Sequence, residues 1–327
     1  MSTLRAGVTG VGYLGRFHAQ KYAALDGVAL TGVHDVDPDR ARAVAEELGT
    51  TAFADLDTLL AHVDVLSVVV PTRLHHAVAG AALARGIHTL VEKPITTTLA
   101  EADDLVDRAE AAGAILQVGH LERFNAAVGG LAEEVGTPMF IESQRLAGFN
   151  PRGADVSVVL DLMIHDIDII LKLVDRPVAR IDANGAPVIS GDVDIANTRI
   201  QFDNGCVANV TASRVSLKSE RKMRLFQRNR YIALDFQERT LDLRTRVDTG
   251  DAAPSMDAIR SEQRHFSDGD ALRAEIASFV EAVREGRTPI VTGRDGRRAL
   301  ATAIEITRQL RENPLPDQPA GPEALSR

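Results

Sequence analysis

The sequence predicts an α/β protein in two parts: an N-terminal doubly wound parallel sheet, and a C-terminal α/β domain with a mostly antiparallel open sheet. Three observations support this fold class. Short apolar runs alternate with amphipathic helical segments through the first third of the chain. A glycine-rich turn follows the first apolar run. Beyond about residue 125, alternating polar and apolar residues separated by turn signals replace that order, which is typical of hairpins.

Five apolar runs in the first third are the predicted parallel strands. Continuous valine and leucine runs suit strands that helices cover on both faces. The helix predicted after the second strand has clear ends, since Asp37 is a suitable N-cap, Pro38 takes the first position and Gly49 follows the last turn. The predicted strands are RAGVTG, VALTGVHD, VDVLSVVVP, IHTLVEKP and AILQVGH.

The turn after the first strand has the spacing G-x-G-x-x-G, with Gly10, Gly12 and Gly15. We expect the first glycine to permit a tight turn, the second to let the backbone approach a pyrophosphate, and the third to let helix and strand pack closely. The N-terminus of the following helix offers free N–H groups and a partial positive charge to the same anion. The motif therefore predicts a dinucleotide-binding Rossmann domain over residues 1–124.

An acidic residue, Asp35, ends the second predicted strand. At this position a carboxylate accepts hydrogen bonds from the adenosine ribose hydroxyls, and it repels a 2′-phosphate. This favours NAD over NADP, although Arg40 lies near enough in sequence to leave NADP open. The alternative for Asp35 is a turn or capping residue before Asp37 and Pro38.

The second domain is expected over residues 125–312, followed by a Pro-rich tail at 313–327 that we expect to be flexible. A turn signal at residues 203–205 separates two alternating segments. The basic run at residues 218–230 is interrupted by apolar residues, so we interpret it as a strand with one wet face rather than a nucleic-acid site. The last helix is amphipathic and is expected to pack back on the first domain.

An apolar segment at residues 158–174 has charged residues at helical spacing. At 100° per residue one narrow stripe of that helix would carry Asp161, His165, Asp168 and Lys172. We expect the stripe to face a cleft, with Asp168 and Lys172 as structural partners one turn apart. Asp166 lies off the stripe, and we expect it to pair with a group in the sheet.

Composition excludes several classes of function. The net charge of −9 argues against broad binding of nucleic acid or anionic membranes. The one cysteine, Cys206, allows no internal disulfide and no cysteine-based metal site, and we expect it to pack in the core. No metal site is expected, and the apolar runs are too short to cross a bilayer. Without a signal-peptide pattern at the start, we expect a cytoplasmic protein.

Three motifs together resemble the Gfo/Idh/MocA oxidoreductases: the glycine turn, the triplet Glu92-Lys93-Pro94 at a strand end, and Asp161 four residues before His165. The resemblance covers nearly the whole chain and implies an NAD-dependent oxidation of a sugar hydroxyl to a ketone. It implies that His165 takes the hydroxyl proton and that Lys93 polarises the oxygen. Asp161 would orient the histidine or a sugar hydroxyl.

The same resemblance implies a set of cofactor-binding residues and an oligomer. The open sheet would form the interface of a homodimer or homotetramer. The cofactor-binding residues would be Gly10, Gly12, Tyr13, Leu14, Gly15, Asp35, Pro71, Thr72, His75, Glu92 and Lys93.

Within this family, VGHLERFN and DVSVVLDLMIHDIDI resemble a narrower bacterial branch that oxidises the 3-hydroxyl of UDP-N-acetylglucosamine, with an aminotransferase partner acting on the ketone for lipid A synthesis. The pyrophosphate of a UDP-sugar needs cationic contacts, for which Arg123 and Arg145 are the candidates, and Asn125 is a further candidate substrate ligand. Surface salt bridges are an equal alternative for both arginines. An inositol or free-sugar dehydrogenase and a non-catalytic dinucleotide-binding regulator remain the other hypotheses. Retention of Lys93, Asp161 and His165 together argues against the regulator.

Overall fold

A computed structural model describes residues 3–150, 157–247, 258–267 and 269–313. The expected flexible tail lies outside these residues except for Asn313. Within them no helix is long and apolar enough to cross a membrane.

The first sheet has six strands in the order β3-β2-β1-β4-β5-β6, and every neighbouring pair is parallel. This is the doubly wound order in which ligands bind where the strand order reverses, between β1 and β4 at their carboxyl ends. The predicted parallel sheet is therefore confirmed. Its strands are β1 (Leu4–Thr9), β2 (Val28–His34), β3 (Thr51–Ala52), β4 (Val65–Val68), β5 (His88–Glu92) and β6 (Leu116–Gly119).

Helices connect these strands and cover both faces of the sheet. Asp37 caps α2 by accepting backbone hydrogen bonds from Asp39 and Arg40, and Gly49 ends that helix in the left-handed conformation, as predicted. The helices of this part are α1 (Tyr13–Ala23), α2 (Pro38–Leu48), α3 (Leu56–Leu60), α4 (His75–Leu83) and α5 (Leu99–Ala112). They are followed by α6 (Ala126–Glu134), which leads into the second sheet.

The second sheet has eight strands in the order β14-β13-β12-β11-β7-β10-β9-β8. All neighbouring pairs are antiparallel except β7 with β10, so the expected mostly antiparallel sheet is confirmed. Gly205 (φ 85°) makes the predicted turn between β9 and β10. The strands are β7 (Phe140–Leu146), β8 (Val178–Ala186), β9 (Ile195–Phe202), β10 (Val207–Ser213), β11 (Glu220–Gln227), β12 (Arg230–Asp235), β13 (Thr240–Arg246) and β14 (Ile259–His265).

One face of this sheet is covered by helix α7 (Ile164–Val174) and part of α9 (Gly293–Glu312). The buried side chains of Met223 and Leu225 alternate with the half-buried polar side chains of Lys222 and Arg224 along β11, which confirms that the basic run is a strand with one polar face. Cys206 is buried in this core, as expected.

The chain returns to the first sheet after the second one. Helix α8 (Ala271–Glu285) buries Ile276, Phe279 and Val280 in the core of the first sheet, so this part of the expected second domain belongs spatially with the first. Helix α9 packs on both parts, since Leu300 joins the first core and Ile306 joins the second. The last helix thus contacts the cores of both sheets.

Candidate active site

A cleft of about 550 Å³ opens at the carboxyl ends of β1, β2, β4 and β5, on the switch point of the first sheet. Most residues expected to bind the cofactor line it. They are Gly10, Gly12, Leu14, Asp35, Pro71, Thr72, His75, Glu92 and Lys93. Tyr13 does not line it, because its exposed side chain lies beside the glycine turn, over a neighbouring depression.

Backbone packing requires glycine at two of the three positions of the turn, Gly10 and Gly15. Gly10 has φ 81°, and a Cβ there would lie 2.6 Å from the carbonyl oxygen of Val69. A Cβ at Gly15 would lie 1.8 Å from the carbonyl oxygen of Gly10, so only glycine lets α1 pack on the turn. A Cβ at Gly12 would meet nothing within 4 Å, which leaves the helix N-terminus open to an anion. These features fit the pyrophosphate of a dinucleotide.

Asp35 lies at the end of β2 with its carboxylate almost fully buried. It accepts hydrogen bonds from the backbone N–H of Val11 (2.8 Å) and of Asp37 (2.9 Å), and Arg40 Nη1 lies 3.2 Å from Oδ1. The carboxylate therefore acts in the turn, as the alternative interpretation expected, and also lines the cofactor cleft. Arg40 offsets part of its negative charge.

His75 holds two loops of the cleft together. Its Nδ1 lies 2.9 Å from the carbonyl oxygen of Pro94 and its Nε2 lies 2.8 Å from that of Val70. The loops after β4 and β5 therefore share one buried side chain. Burial lowers the pKa of His75 below its usual value.

Lys93 lies at the inner end of the cleft and reaches the second domain. Its Nζ donates to the backbone carbonyl oxygen of Asp161 (2.9 Å) and lies 3.3 Å from Asp161 Oδ1. Asp161 belongs to a π-helical segment, Val159–Met163, directly before α7. Such wide turns are frequent at functional sites.

His165 follows in the first turn of α7 and is half-buried. No described residue forms a hydrogen bond with its buried Nδ1. Burial and the positive charges of Lys93 and Arg145 lower the pKa of His165 well below its usual value. The imidazole is therefore neutral near pH 7, as a general base must be. The structure thus brings Lys93, Asp161 and His165 to one place.

The charged stripe expected on this helix divides into separate contacts. Asp168 does not pair with Lys172, which is exposed. Instead its carboxylate accepts two hydrogen bonds from Arg123 (Nε 2.6 Å, Nη2 2.8 Å). The expectation of an Asp168–Lys172 pair is wrong because the guanidinium of Arg123, in the neighbouring loop, occupies the buried carboxylate of Asp168. Asp166 pairs with Arg145 of β7 at 3.0 Å, as expected for a group in the sheet.

The residues expected to bind substrate are already engaged within the protein. Arg123 is buried against Asp168, and Arg145 is 4% exposed between Asp166 and Glu122. Asn125 caps α6 through its Oδ1 and donates from Nδ2 to the carbonyl oxygen of Phe236 (3.1 Å). This geometry assigns all three to positioning the loop before α6, and it does not support direct phosphate contacts by the two arginines.

Sequence reasoning missed a buried polar network behind Lys93. His18 Nε2 lies 3.1 Å from Glu92 Oε1, and His18 Nδ1 lies 3.2 Å from Ser67 Oγ, which is 3.0 Å from Tyr22 Oη. Since a carboxylate only accepts, the chain of donors runs from Tyr22 through Ser67 and His18 to Glu92. Burial alone would raise the pKa of Glu92, but the His18 hydrogen bond and the Lys93 charge lower it. The carboxylate of Glu92 is thus ionised and accepts the hydrogen bond from His18 Nε2.

His120 was also missed by sequence reasoning. It follows β6, and its side chain is buried without a hydrogen-bond partner among the described residues. Its Nδ1 lies 4.0 Å from Asp168 Oδ2, and burial lowers its pKa. Its only sequence signal was a histidine directly after a predicted strand, at the edge where ligands bind.

Comparison with known proteins identifies the family. The sequence-family model described as "Oxidoreductase family, NAD-binding Rossmann fold" matches residues 4–120, and the family model "GFO/IDH/MocA C-terminal domain" matches residues 132–232. The UDP-N-acetylglucosamine 3-dehydrogenase of Acidithiobacillus ferrooxidans is 41% identical over 94% of this chain and 97% of that protein. The scyllo-inositol 2-dehydrogenase (NAD(+)) of Bacillus subtilis is 29% identical over 96% of each chain.

Solved structures agree with these sequence matches. The structure of the A. ferrooxidans UDP-N-acetylglucosamine 3-dehydrogenase superposes with a TM-score of 0.89 at 40% identity, covering 95% of this chain and 99% of that one. The cleft, its glycine turn and the sequence matches over both domains lead to one conclusion. This chain belongs to the Gfo/Idh/MocA family of oxidoreductases, and its cofactor is NAD.

Proposed function

We propose that this protein oxidises the 3-hydroxyl of UDP-N-acetylglucosamine to a ketone, with Lys93, Asp161 and His165 as the catalytic residues. The observation that carries the catalytic assignment is the contact of Lys93 Nζ with Asp161 beside the neutral, half-buried His165. The choice of substrate is supported by the 41% identical A. ferrooxidans enzyme.

In this mechanism His165 accepts the proton of the reacting hydroxyl. Its lowered pKa keeps it neutral and ready to accept, and it makes the proton easy to release afterwards. NAD, when bound, supplies the acceptor for the hydride that leaves the same carbon. General-base catalysis by a positioned side chain contributes about 100- to 10,000-fold.

Lys93 stabilises the negative charge that develops on the substrate oxygen. Two of its three N–H bonds are directed at Asp161, so the third is left for the oxygen. Its ammonium charge also discourages protonation of His165 before substrate binds. Asp161 thereby orients Lys93, whereas its expected role of orienting the histidine has no hydrogen bond to support it.

Turnover of a substrate panel tests the proposal. Purified protein with NAD and UDP-N-acetylglucosamine should raise the absorbance of reduced nicotinamide, most readily when an aminotransferase and glutamate remove the ketone. Turnover of myo-inositol but not of the UDP-sugar would favour the inositol dehydrogenase hypothesis, which the 29% identical B. subtilis relative represents. Binding of NAD without turnover of either substrate would favour the hypothesis of a non-catalytic dinucleotide-binding regulator.

Three further features belong to the proposal. The polar face of the second sheet, opposite α7 and α9, is open for self-association as a homodimer or homotetramer, which the mass of the particle in solution would test.

An aminotransferase acting on the ketone is the expected partner, in a route to lipid A. We place the reaction in the cytoplasm, where NAD and UDP-sugars are available. Fractionation of cells would test that location.

A further inference from the structure

Arg221 is a half-exposed arginine beside the catalytic helix, and the mechanism above does not use it. It lies on β11 directly opposite Arg145 of β7 in the antiparallel register. Directly opposed residues point to the same side of a sheet. Arg221 therefore shares the helix-covered face with Arg145, Met223 and Leu225, at the end where that face meets solvent.

Arg145 and Arg221 differ in burial and in hydrogen bonding. Arg145 is 4% exposed and donates to Asp166 and to Glu122 Oε1 (2.8 Å), so its fork is occupied. Arg221 is 50% exposed, and its Nη1 lies 3.7 Å from the same Glu122 oxygen, beyond hydrogen-bonding distance. Its guanidinium donors thus remain available to a ligand.

The position of Arg221 connects it with the reacting centre. Arg145 contacts Asp166, the residue next to His165, and Glu122 joins Arg145 to Arg221. The charge of Arg221 is among those that lower the pKa of His165, so the two groups lie within electrostatic range. A substrate whose hydroxyl meets His165 can therefore extend a charged group towards Arg221.

We propose that Arg221 binds the diphosphate of a nucleotide-linked sugar and so selects such substrates over uncharged sugars and inositols. A planar guanidinium with free donors matches two phosphate oxygens at once. The protein has a net charge of −9, so an anionic substrate needs a local cation to enter the cleft. The arginines first expected in this role, Arg123 and Arg145, are buried and paired with carboxylates. The inference rests on the proposed function and deepens it.

Arg224 provides a matched control on the same strand. Three residues away, its side chain points to the opposite face. Its Nη1 also lies 3.7 Å from a carboxylate oxygen, that of Glu142. Arg221→Gln should raise the KM for UDP-N-acetylglucosamine and the Kd for UDP about 10- to 100-fold, the effect of losing hydrogen bonds to a charged group. The KM for NAD and the melting temperature should stay unchanged. Arg224→Gln should match wild type, and Arg221→Lys should lie between wild type and Arg221→Gln.

Titration with UDP separates this inference from the proposed function. If wild type oxidises the UDP-sugar but Arg221→Gln binds UDP as tightly as wild type, the inference is overturned and the function stands. If Arg221→Gln loses UDP affinity while wild type oxidises a different UDP-sugar, the inference holds and the substrate assignment fails. Failure of wild type to bind UDP would overturn both.

Discussion

Lys93 of the first domain donates a hydrogen bond to the backbone carbonyl oxygen of Asp161 in the second, at 2.9 Å. The end of β5 is thereby fixed to the π-helical turn that precedes His165. Lys93 and His165, the proposed catalytic pair, come from separate domains, since Lys93 follows β5 and His165 lies on α7, and this contact links the two. This backbone acceptor remains in place when the side chain of Asp161 is substituted.

This persistence predicts unequal effects of two substitutions. Lys93→Met should lower kcat about 100- to 1,000-fold, the effect of removing one charge-stabilising donor at a developing oxyanion. Asp161→Asn should cost less, because the carbonyl contact with Lys93 remains. Steady-state rates with NAD and the sugar nucleotide measure both, and Lys172→Met on the exposed part of α7 is the control. Equal losses in the two variants would show that the carboxylate, and not the carbonyl, positions Lys93.

The lowered pKa of His165 predicts the pH dependence of kcat/KM. Only the neutral imidazole accepts a proton, so the rate should be full at neutral pH and decline as the pH falls well below the unperturbed value of about 6.5. In Lys93→Met the residual activity should decline at a higher pH than in wild type, because one of the charges that lower the pKa of His165 is gone. Identical acid limbs in the two proteins would exclude His165 as the titrating base.

The sequence predicted a structural feature correctly where that feature depended on local backbone or side-chain patterns. Gly10 and Gly15 were assigned correctly because a positive φ and a close backbone approach allow few residues other than glycine. Strands β8 and β14 were missed because most of their side chains are exposed or half-exposed, so they lack the alternation that marks a half-buried strand.

In the candidate site, too, contacts between residues distant in sequence could not be predicted. Lys93, Asp161 and His165 followed from motifs, but the partners of Arg123 and Arg145 lie 45 and 21 residues away along the chain. Spacing does not indicate whether a distant carboxylate or a substrate phosphate will occupy a guanidinium. The π-helical turn at Val159–Met163 was equally hidden, since the helical projection assumes a regular 3.6-residue period.

The buried pair of Arg145 and Asp166 predicts a large loss of stability when one member is removed. Arg145→Met leaves Asp166 buried without its partner and should lower the free energy of unfolding by about 3–5 kcal/mol. Arg145→Met combined with Asp166→Leu should recover part of that loss, since no uncompensated charge remains between these positions. Chemical denaturation measures both, and Arg180→Met in the exposed Arg180–Asp182 pair should leave the unfolding curve unchanged. A double variant less stable than Arg145→Met would contradict this account.

His18 is a positioning residue for Glu92, and removing its donor should affect catalysis as well as stability. His18→Leu leaves the carboxylate beside Lys93 without its hydrogen bond, so the pKa of Glu92 should rise and kcat should fall about 10- to 100-fold. His18→Gln should recover part of the rate, because a side-chain amide can donate to the same oxygen. Tyr22→Phe removes the far end of the donor chain and keeps the His18–Glu92 bond, so it should retain nearly the full rate. A loss of melting temperature in His18→Leu with kcat unchanged would reduce His18 to a packing role, since packing alone does not require a donor at this position.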